Sequence, residues 1–472
     1  MKRIDILPDD VLLEVFDFYA NMYPFHGVKT HVEAWQSLVH VCRRWRSLVL
    51  GSPRRLNLRL YCTPETPVKD KLDVWPALPL VIGGSTAITP GTENIIAAIG
   101  QSNRVRQVEL HLAGQRQLEE VLAAMQVPFP ELTRMHLSSN NETPPAIPDS
   151  FLGGSAPRLQ YLKLDYISFP GFPKLLLSAT HLVYLLLINI PHHSWHMSPE
   201  AMVDLLSMLS SLRGLSLEFL SAQTRPDWES RNLPPLKRSI LPALDKFCFD
   251  GTTQYLEELV TRIDTPQLDQ MHITFLNQIY FDCPFLVQFI NRTPTLSRAC
   301  NETHVQFFDS AASVILRDRT SEIGSDHLPI EISWIVSIRQ LSCIELFCNS
   351  SLHPLSTVQD LYIENHYWKQ VWSNHVIENT QWLQLLLPFT AVKNLYLSRV
   401  FVLGIAAALQ KLIGGRMTEV LPSLQNIFVE EVRPWGLIND FKDDVGQFIE
   451  ARRLSDHPIT ISVWDKDSDS DM

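Results

Sequence analysis

The sequence predicts an α/β protein in which a short N-terminal helical module precedes a long, irregular stack of strand-and-helix repeats. Three observations predict this architecture. A short template, Leu-x-x-Leu-x-Leu or a close variant, recurs nine times after residue 129. Amphipathic segments with helical spacing lie between many of these copies. Two further amphipathic stretches fall within the first fifty residues and predict the helical module.

The composition is that of a globular chain with a modest acidic balance. Of 472 residues, 45% are hydrophobic and 19% are charged, and the formal net charge is −11. This is enough apolar material for a continuous core and argues against disorder. An acidic chain has no general attraction for phosphate backbones, and its densest basic cluster, Arg43, Arg44 and Arg46, is small. We therefore expect no nucleic-acid partner.

Cysteine usage and hydrophobic patterning indicate the compartment. The seven cysteines are scattered and form no Cys-x-x-Cys pair, which is typical of reduced thiols. No apolar run reaches the length of a membrane helix, and the N-terminus lacks the apolar stretch of a signal peptide. We therefore expect no membrane partner and a cytoplasmic location, a nuclear location, or both.

The N-terminal module is predicted from two segments. Leu7 and Pro8 begin the first helix, because proline is favoured in a first turn, and Asp9 and Asp10 place negative charge at the positive end of the helix dipole. A second helix is predicted over residues 32–49, where apolar side chains recur at steps of three and four. Two amphipathic helices of this size cannot bury their apolar faces alone. The module therefore needs a partner or a neighbouring domain.

The residues of this module resemble the F-box family. The resemblance rests on Leu-Pro-Asp-Asp-Val-Leu-Leu-Glu-Val-Phe at 7–16 and on Leu-Val-His-Val-Cys-Arg-Arg-Trp-Arg-Ser-Leu-Val at 38–49. Residues 21–33 depart from it, because they are longer and less apolar than the link usual in that family. Residues 53–80 also resemble a basidiomycete-type, and therefore fungal, group of F-box proteins.

The resemblance implies a partner. F-box modules dock on a Skp-family linker subunit and, through it, on a cullin of an SCF-type ubiquitin ligase. The alternative is an ordinary helical hairpin that caps the repeats and faces the core of the chain itself. The residues that we assign to Skp-family binding are Leu7, Pro8, Val11, Leu12, Val15, Phe16, Leu38, Val41, Cys42, Trp45 and Leu48.

The repeated template predicts the remaining strands. Leu132, Leu159 and Leu182 begin successive copies 27 and 23 residues apart, a spacing typical of leucine-rich repeats. We interpret the region as an irregular leucine-rich-repeat-like solenoid, with a non-repeat α/β domain as the alternative. Helices are predicted between the strands at 93–100, 116–125, 199–209, 255–262 and 404–413.

One stretch, from Cys300 to Cys348, breaks the repeat pattern. Residues 304–317 and 330–346 are predicted as longer strands that form either a hairpin or two degenerate repeats. The predicted organisation is an F-box over 1–52, a connecting segment with the first strand over 53–92, the solenoid over 93–463 and an acidic, disordered tail over 464–472.

The solenoid predicts a recognition face. In each strand the residues between the core leucines point to the opposite, concave side. There they form a set rich in tyrosine and in basic residues, which suits an acidic or phosphorylated protein substrate. The alternative is that they are ordinary solvated strand residues. The set is Arg134, His136, Tyr161, Lys163, Tyr184, Arg213, Lys246, Gln270, His272 and Tyr362.

No motif of catalysis or cofactor binding is present. The glycines at Gly83–Gly84 are too few to cradle phosphates, and residues 83–86 are predicted as a turn. His192, His193 and His196 lack a nearby cysteine or carboxylate, so no metal is expected there. We therefore expect no cofactor, no metal and no enzymatic activity.

The predicted function is that of a substrate-recognition adaptor. On this hypothesis the F-box binds the ligase through the Skp-family subunit and the solenoid binds an unknown substrate. The main alternative is a leucine-rich-repeat scaffold without a ligase role. A further alternative is an enzyme with a site in the irregular stretch, which converging titratable side chains there would support.

Overall fold

The computed structural model divides the chain into two compact units, Met1–Met197 and Ser198–Met472. The residues that it describes are 7–21, 38–51, 58–74, 78–86, 91–140, 146–167, 174–191, 197–221, 238–276, 283–318, 330–335, 340–350, 352–366, 379–413, 416, 418–430 and 437–464.

The first unit begins with two helices and continues as a parallel sheet. The helices are α1 (Asp9–Asn21) and α2 (Arg43–Gly51). The strands are β1 (Leu58–Cys62), β2 (Leu80–Ser85), β3 (Val105–Leu112), β4 (Arg134–Ser139), β5 (Tyr161–Asp165) and β6 (Tyr184–Ile190). Between strands lie α3 (Val68–Val74), α4 (Thr92–Ile99), α5 (Gln115–Ala124), a 3-10 turn (Phe151–Gly154) and α6 (Lys174–Ser178).

The order of these strands decides between the two predicted architectures. Strands β1 to β6 pair in chain order, and every pair is parallel. Because parallel crossovers are right-handed, crossovers that all run in one direction collect their helices on one face of the sheet. A doubly wound domain would instead reverse direction and cover both faces. The order therefore favours a stack of strand-and-helix repeats.

Alternation along the strands builds the core of this unit. Met135 and Leu137 of β4 are buried, whereas the residues that alternate with them are more exposed. Leu162 and Leu164 repeat the pattern in β5, and Leu118 of α5 is buried as well. Burying one such leucine stabilises the fold by about 1.5–3 kcal/mol. The repeated leucines thus hold each strand in its register.

The second unit continues the same alternation of elements. Its helices are α7 (Pro199–Met208), α8 (Thr253–Arg262), α9 (Pro284–Arg292), α10 (Gln340–Cys348), α11 (Asn379–Leu386), α12 (Val402–Gln410) and α13 (Leu437–Leu454). Short 3-10 turns occupy His353–Thr357 and Arg399–Phe401.

The strands of the second unit form one main sheet and a small ladder. Their order in the main sheet is β7-β9-β11-β14-β13-β12-β15-β16-β17-β18, and β8 pairs with β10 apart from it. The strands are β7 (Gly214–Phe219), β8 (Ser239–Ile240), β9 (Lys246–Gly251), β10 (Ile263–Asp264), β11 (Gln270–Leu276), β12 (Glu302–Phe307), β13 (Ala311–Arg317), β14 (Ile330–Ile335), β15 (Asp360–Asn365), β16 (Asn394–Leu397), β17 (Asn426–Glu430) and β18 (Thr460–Trp464).

The irregular stretch is a reversal inserted into the parallel sheet. Strands β13 and β14 are antiparallel, so the predicted hairpin between residues 304–317 and 330–346 is confirmed. The prediction of one strand over 304–317 is wrong, because the chain reverses after Phe307 and forms two antiparallel strands, β12 and β13. Because β14 is parallel to β11 and β12 is parallel to β15, the direction of the repeats resumes on both sides. The predicted strand over 330–346 is wrong beyond Ile335. Leu341, Ile344 and Phe347 follow it at helical spacing and are buried on α10.

Other predicted elements were confirmed or corrected. The five predicted helices and the nine template strands are confirmed, with small shifts at their ends. The turn predicted at 83–86 is wrong, because Gly84 lies inside β2, where a Cβ would come within 3.2 Å of Ile95 Cδ1 of α4. The segment 53–92 holds two strands and a helix instead of one strand. Trp464 is buried at the end of β18 and so is not part of the tail, whose other residues lie outside the described part of the chain.

Candidate partner-binding surfaces

The N-terminal module is held together by a small apolar core and a charged clamp. Leu12 and Phe16 of α1 are buried, and the Phe16 ring lies 4.7 Å from that of Trp45 on α2. Arg44 of α2 donates to Asp9 Oδ1 and to the Leu7 carbonyl, each at 2.6 Å. These contacts fix α2 against the first turn of α1.

The second helix is not continuous. The chain makes a turn at His40 and Val41, and α2 begins anew at Arg43. Cys42 caps this new helix, because its sulfur accepts the Trp45 N–H at 3.4 Å and its carbonyl accepts the Arg46 N–H. The prediction of one uninterrupted helix over 32–49 is therefore wrong at this turn, and Trp35 lies outside the described residues.

One side of α1 presents apolar side chains to solvent. Leu7, Val11, Val15 and Phe18 are all exposed, Phe18 with 69% of its surface. Val11, Val15 and Phe18 are four and three residues apart and so lie on one face of α1, away from buried Leu12, while Leu7 lies just before the helix. We call these four residues the α1 stripe. Phe18 was not predicted, although its position three residues after Val15 continues the pattern.

The predicted Skp-family contacts divide into three groups. Pro8 and Val41 are exposed, as are the predicted members of the α1 stripe. Cys42, Trp45 and Leu48 are half-buried. Leu12, Phe16 and Leu38 are buried within the protein, so they pack the module and do not present a surface, which corrects that part of the prediction.

The first unit brings four residues of the predicted recognition face together. Arg134, Tyr161 and Tyr184 are direct neighbours across β4, β5 and β6. The Arg134 guanidinium lies 3.8 Å from the centre of the Tyr161 ring, and the two tyrosine rings are 6.1 Å apart. Lys163 lies two residues after Tyr161 on β5, and its register partner on β4 is His136. We call Arg134, Tyr161, Lys163 and Tyr184 the basic-aromatic patch.

The second unit does not gather its predicted residues in the same way. Arg213 donates through Nε and Nη2 to Asp245 Oδ2, so its charge is already paired. Lys246 is exposed on β9, and His272 of β11 pairs with Glu331 at 3.1 Å. Gln270 is half-buried beside Lys246.

Tyr362 is not available for recognition. Four strands separate its strand, β15, from β9, a distance of about 24 Å at the usual strand spacing. Only 6% of its surface is exposed, because it is stacked between the rings of His304 and Tyr396. Its assignment as a substrate-binding residue is therefore corrected.

The stack around Tyr362 extends across four strands. The rings of His304, Tyr362, Tyr396 and Phe428 follow one another at 4.4, 4.1 and 4.5 Å and are nearly parallel. Trp464 packs edge-on against both tyrosines. We call these five residues the aromatic ladder. It occupies the strand face that alternates with the leucine core, a place where sequence reasoning expected an open binding surface.

A hydrogen-bonded row of side chains runs beside the aromatic ladder. Asn394 Nδ2 donates to Asp360 Oδ1 at 2.6 Å, and Asn426 Nδ2 donates to Asn394 Oδ1 at 2.7 Å. Thr460 Oγ1 donates to Asn426 Oδ1 at 2.6 Å. This row, which we call the amide row, ties β15, β16, β17 and β18 together at matching register positions.

A buried charged cluster adjoins the aromatic ladder. His304 Nε2 lies 2.7 Å from Glu302 Oε1, and its Nδ1 lies 3.0 Å from Glu364 Oε2. Burial alone would lower the pKa of His304, but the hydrogen bonds to the two carboxylates outweigh it and raise that pKa. Burial would raise the pKa of Glu364, but its hydrogen bonds to His304 and His366 hold that pKa well below its usual range. Each group of the pair therefore favours the charged form of the other.

Burial makes several of the described cysteines poor nucleophiles. Burial raises the pKa of Cys62 to about 12 and that of Cys300 to about 11. Burial also raises the pKa of Cys343 and Cys348, at the end of the irregular stretch. Because the thiolate is the nucleophile, these thiols are poorly suited to attack a substrate at neutral pH.

Comparisons with known proteins were made for the whole chain. No family model matches the sequence, and no curated protein matches it. One similar solved structure is the leucine-rich repeat-containing protein LegL7 from Legionella pneumophila, with 12% identity, a TM-score of 0.28, and coverage of 83% of this chain and 98% of that one. Another is the Rad7 and Elc1 complex in yeast, with 12% identity, a TM-score of 0.24, and coverage of 98% and 94%. At these scores the likeness assigns no function to this chain.

Among the helices that the structure describes, none combines the length and the apolar character needed to cross a bilayer.

Proposed function

We propose that this chain is the substrate-recognition subunit of an SCF-type ubiquitin ligase, acting in the cytoplasm, the nucleus or both. The α1 stripe is the observation that carries the proposal. On this view the stripe and the neighbouring turn dock on a Skp-family subunit, which connects the chain to a cullin. The chain itself catalyses nothing and supplies proximity between ligase and substrate.

The exposure of the α1 stripe supports a docking role. The four apolar side chains of the α1 stripe face water, which is unfavourable. Binding a partner that buries one of them completely would contribute about 1.5–3 kcal/mol. The same helix buries Leu12 and Phe16 on its other side, so the module is already packed without using the stripe. An apolar surface of this kind on a folded module is typical of a protein interface. The resemblance of residues 7–16 and 38–49 to an F-box supports a Skp-family subunit as the partner.

The turn between the helices adds to this surface. Val41 lies in the turn that precedes Cys42, the cap of α2, and 58% of its surface is exposed. A valine held outward by a capped turn has few conformations to lose on binding. Pro8 is exposed beside the α1 stripe and contributes a further rigid contact.

Docking is tested by charge on the α1 stripe. Full-length protein carrying Val11→Asp and Val15→Asp is co-expressed with a Skp-family subunit, and the captured complex is quantified. We expect capture to fall at least about tenfold, because two unpaired carboxylates would be buried in an apolar interface. Both valines are exposed, with 40% and 48% of their surfaces accessible, so the fold should tolerate the change.

The matched control places the same substitution elsewhere. Val127 is 46% exposed in the same unit and lies outside the module. Val127→Asp should leave capture unchanged. Normal capture by the double variant, with an unchanged thermal melt, would mean that the α1 stripe does not bind the Skp-family subunit.

A repeat scaffold without a ligase role is the second candidate. The stacked strands and helices within each unit favour a binding protein, because repeat arrays present extended surfaces to partners. The two candidates differ in one observable. A scaffold would bring down its partner from cell extracts without any Skp-family subunit or cullin.

A further inference from the structure

Three potential metal ligands converge on the strand face of the first unit. Glu109 and His111 are two residues apart on β3, so their side chains point to the same face. His136 on β4 is the register partner of Glu109. A carboxylate and two imidazoles therefore meet across two adjacent strands, one repeat apart in the sequence.

The distances within this group are short. Glu109 Oε1 lies 3.7 Å from His136 Nδ1 and 4.0 Å from His111 Nε2. One ligand atom from each residue lies within 4.8 Å of the other two. Ligands around tetrahedral zinc are roughly 3.3 Å apart, given bonds of about 2.0–2.1 Å. Small rotations of Glu109 and His111 would close the gap, and both have room, with 36% and 49% of their side chains exposed.

Two further contacts prepare the histidines. Ser138 Oγ lies 2.5 Å from His111 Nδ1, which orients this ring and leaves its Nε2 on the side of Glu109. A second contact of this kind is typical of histidines that bind metal. The His136 side chain is only 12% exposed and its Nε2 has no hydrogen-bond partner, so this buried ring is incompletely satisfied by the protein. The two imidazole rings meet edge to face at 5.1 Å.

We propose that Glu109, His111 and His136 form a zinc site with an open fourth position. Two histidines and one carboxylate are the ligand set of open zinc sites, in which water or an incoming group completes the tetrahedron. Lys163, the register neighbour of His136, carries a charge that opposes a cation, so the affinity should be weaker than that of closed structural sites. The site does not depend on the proposed ligase role. It lies beside the basic-aromatic patch, where the open position would face a bound partner.

Zinc binding is tested on the full-length protein. The protein is purified in chelator, dialysed against zinc chloride alone, and analysed by elemental analysis and titration calorimetry. We expect about one zinc ion per chain. Glu109→Gln and His111→Ala should each weaken binding at least tenfold. Because both side chains are partly exposed, the fold should tolerate these changes. The thermal midpoint should rise with zinc in the natural protein and not in these variants.

A control excludes the other histidine cluster. His193→Ala combined with His196→Ala should leave zinc binding unchanged, as expected if that cluster, which lies outside the described residues, binds no zinc. The proposal would be overturned if the natural protein retained no zinc at tenfold excess. It would also be overturned if Glu109→Gln and His111→Ala retained as much zinc as the natural protein, or if only the His193 and His196 variant lost zinc.

Discussion

At the scale of a single residue, His304 has the most constrained environment among the described histidines of the second unit. Its ring is stacked on Tyr362, and both of its nitrogens meet carboxylates. The charged form of His304 and the charged form of Glu364 stabilise each other. Removing one member of such a buried pair usually costs about 3–5 kcal/mol, since it leaves the other charge unpaired. The cluster therefore links the stability of the second unit to pH.

The direction of this pH dependence follows from the two shifts. The raised pKa of His304 contributes stability that is fully present below its unfolded value, about 6.5, and is lost as pH rises through the raised value. The lowered pKa of Glu364 contributes stability that is present above its unfolded value, about 4.3, and is lost as pH falls. Both contributions are present between about pH 4.5 and 6.5.

We predict that His304→Gln destabilises the protein most within this window. Urea unfolding at pH 6 should show a loss of about 3–5 kcal/mol, and the difference from the natural protein should shrink by pH 9. His181→Gln, at an exposed histidine, is the control and should show no such trend. A penalty that stayed constant from pH 5 to 9 would argue that His304 contributes packing alone.

At the scale of an element, the aromatic ladder makes the last strands one packed block. Tyr396 lies at its centre, 4.1 Å from Tyr362, 4.5 Å from Phe428 and 5.5 Å from Trp464. Each aromatic pair adds about 0.5–1.5 kcal/mol beyond simple burial. The end of the chain is therefore fastened by side chains on the face that repeats usually leave open.

A double-mutant cycle measures this fastening. Tyr396→Ala should lower the unfolding free energy by about 2–4 kcal/mol, as is usual for removing a packed aromatic ring. Combining it with Trp464→Ala should reveal a coupling of about 0.5–1.5 kcal/mol in denaturant unfolding. Tyr61→Ala, at a tyrosine that is 45% exposed, provides the control. Strictly additive losses would show that Tyr396 and Trp464 do not interact.

Elements with strong periodicity could be predicted from the sequence. Strands such as β4 and β5 alternate buried leucines with polar residues, and that pattern has one structural solution. The strand predicted over residues 340–346 was wrong because a short apolar run fits a strand or a buried helix equally well. The turn predicted at Gly84 was wrong because glycine usually marks a turn, whereas here it is a small residue within a strand that packs closely against Ile95.

Sites were harder to predict than elements. The basic-aromatic patch followed from alternation alone, because its residues fall at equivalent positions of adjacent repeats. The burial of Tyr362 could not be foreseen, since it depends on stacking with His304 and Tyr396 and on the edge of Trp464, which is 102 residues away in the sequence. Glu109, His111 and His136 meet only through strand register, and no ligand motif in the sequence spans that distance.

At the scale of the whole molecule, the proposed adaptor combines two kinds of surface. The α1 stripe is apolar, whereas the basic-aromatic patch carries Arg134 and Lys163 beside two tyrosines. Because the chain as a whole carries a net charge of −11, this patch is a locally basic surface that would attract an acidic partner. Arginine pairs well with carboxylates and phosphates, and tyrosine is frequent at the energetic centres of interfaces. We therefore place substrate recognition on this patch.

Charge reversal separates the two surfaces. Arg134→Glu with Lys163→Glu should change the set of captured substrates while the Skp-family subunit remains bound. Affinity purification with mass spectrometry, run with the proteasome inhibited, measures both outcomes. The loss for a bound acidic segment should reach at least tenfold, since two attractive charges become repulsive.

The control for this experiment reverses a charge away from the patch. Arg116→Glu changes a residue on α5 whose side chain is 91% exposed. Its partner list should match that of the natural protein. An unchanged list for the Arg134 and Lys163 variant would place recognition elsewhere on the chain.

The amide row has a sense of direction. Every link donates toward Asp360, so the dipoles of Asn394 and Asn426 point the same way and reinforce one another. An ionised carboxylate can only accept hydrogen bonds, and this fact alone decides which way round each amide must sit. Asparagine at position 360 would accept or donate equally well, and the row could then run in either sense. The carboxylate of Asp360 thus sets the orientation of side chains up to three strands away.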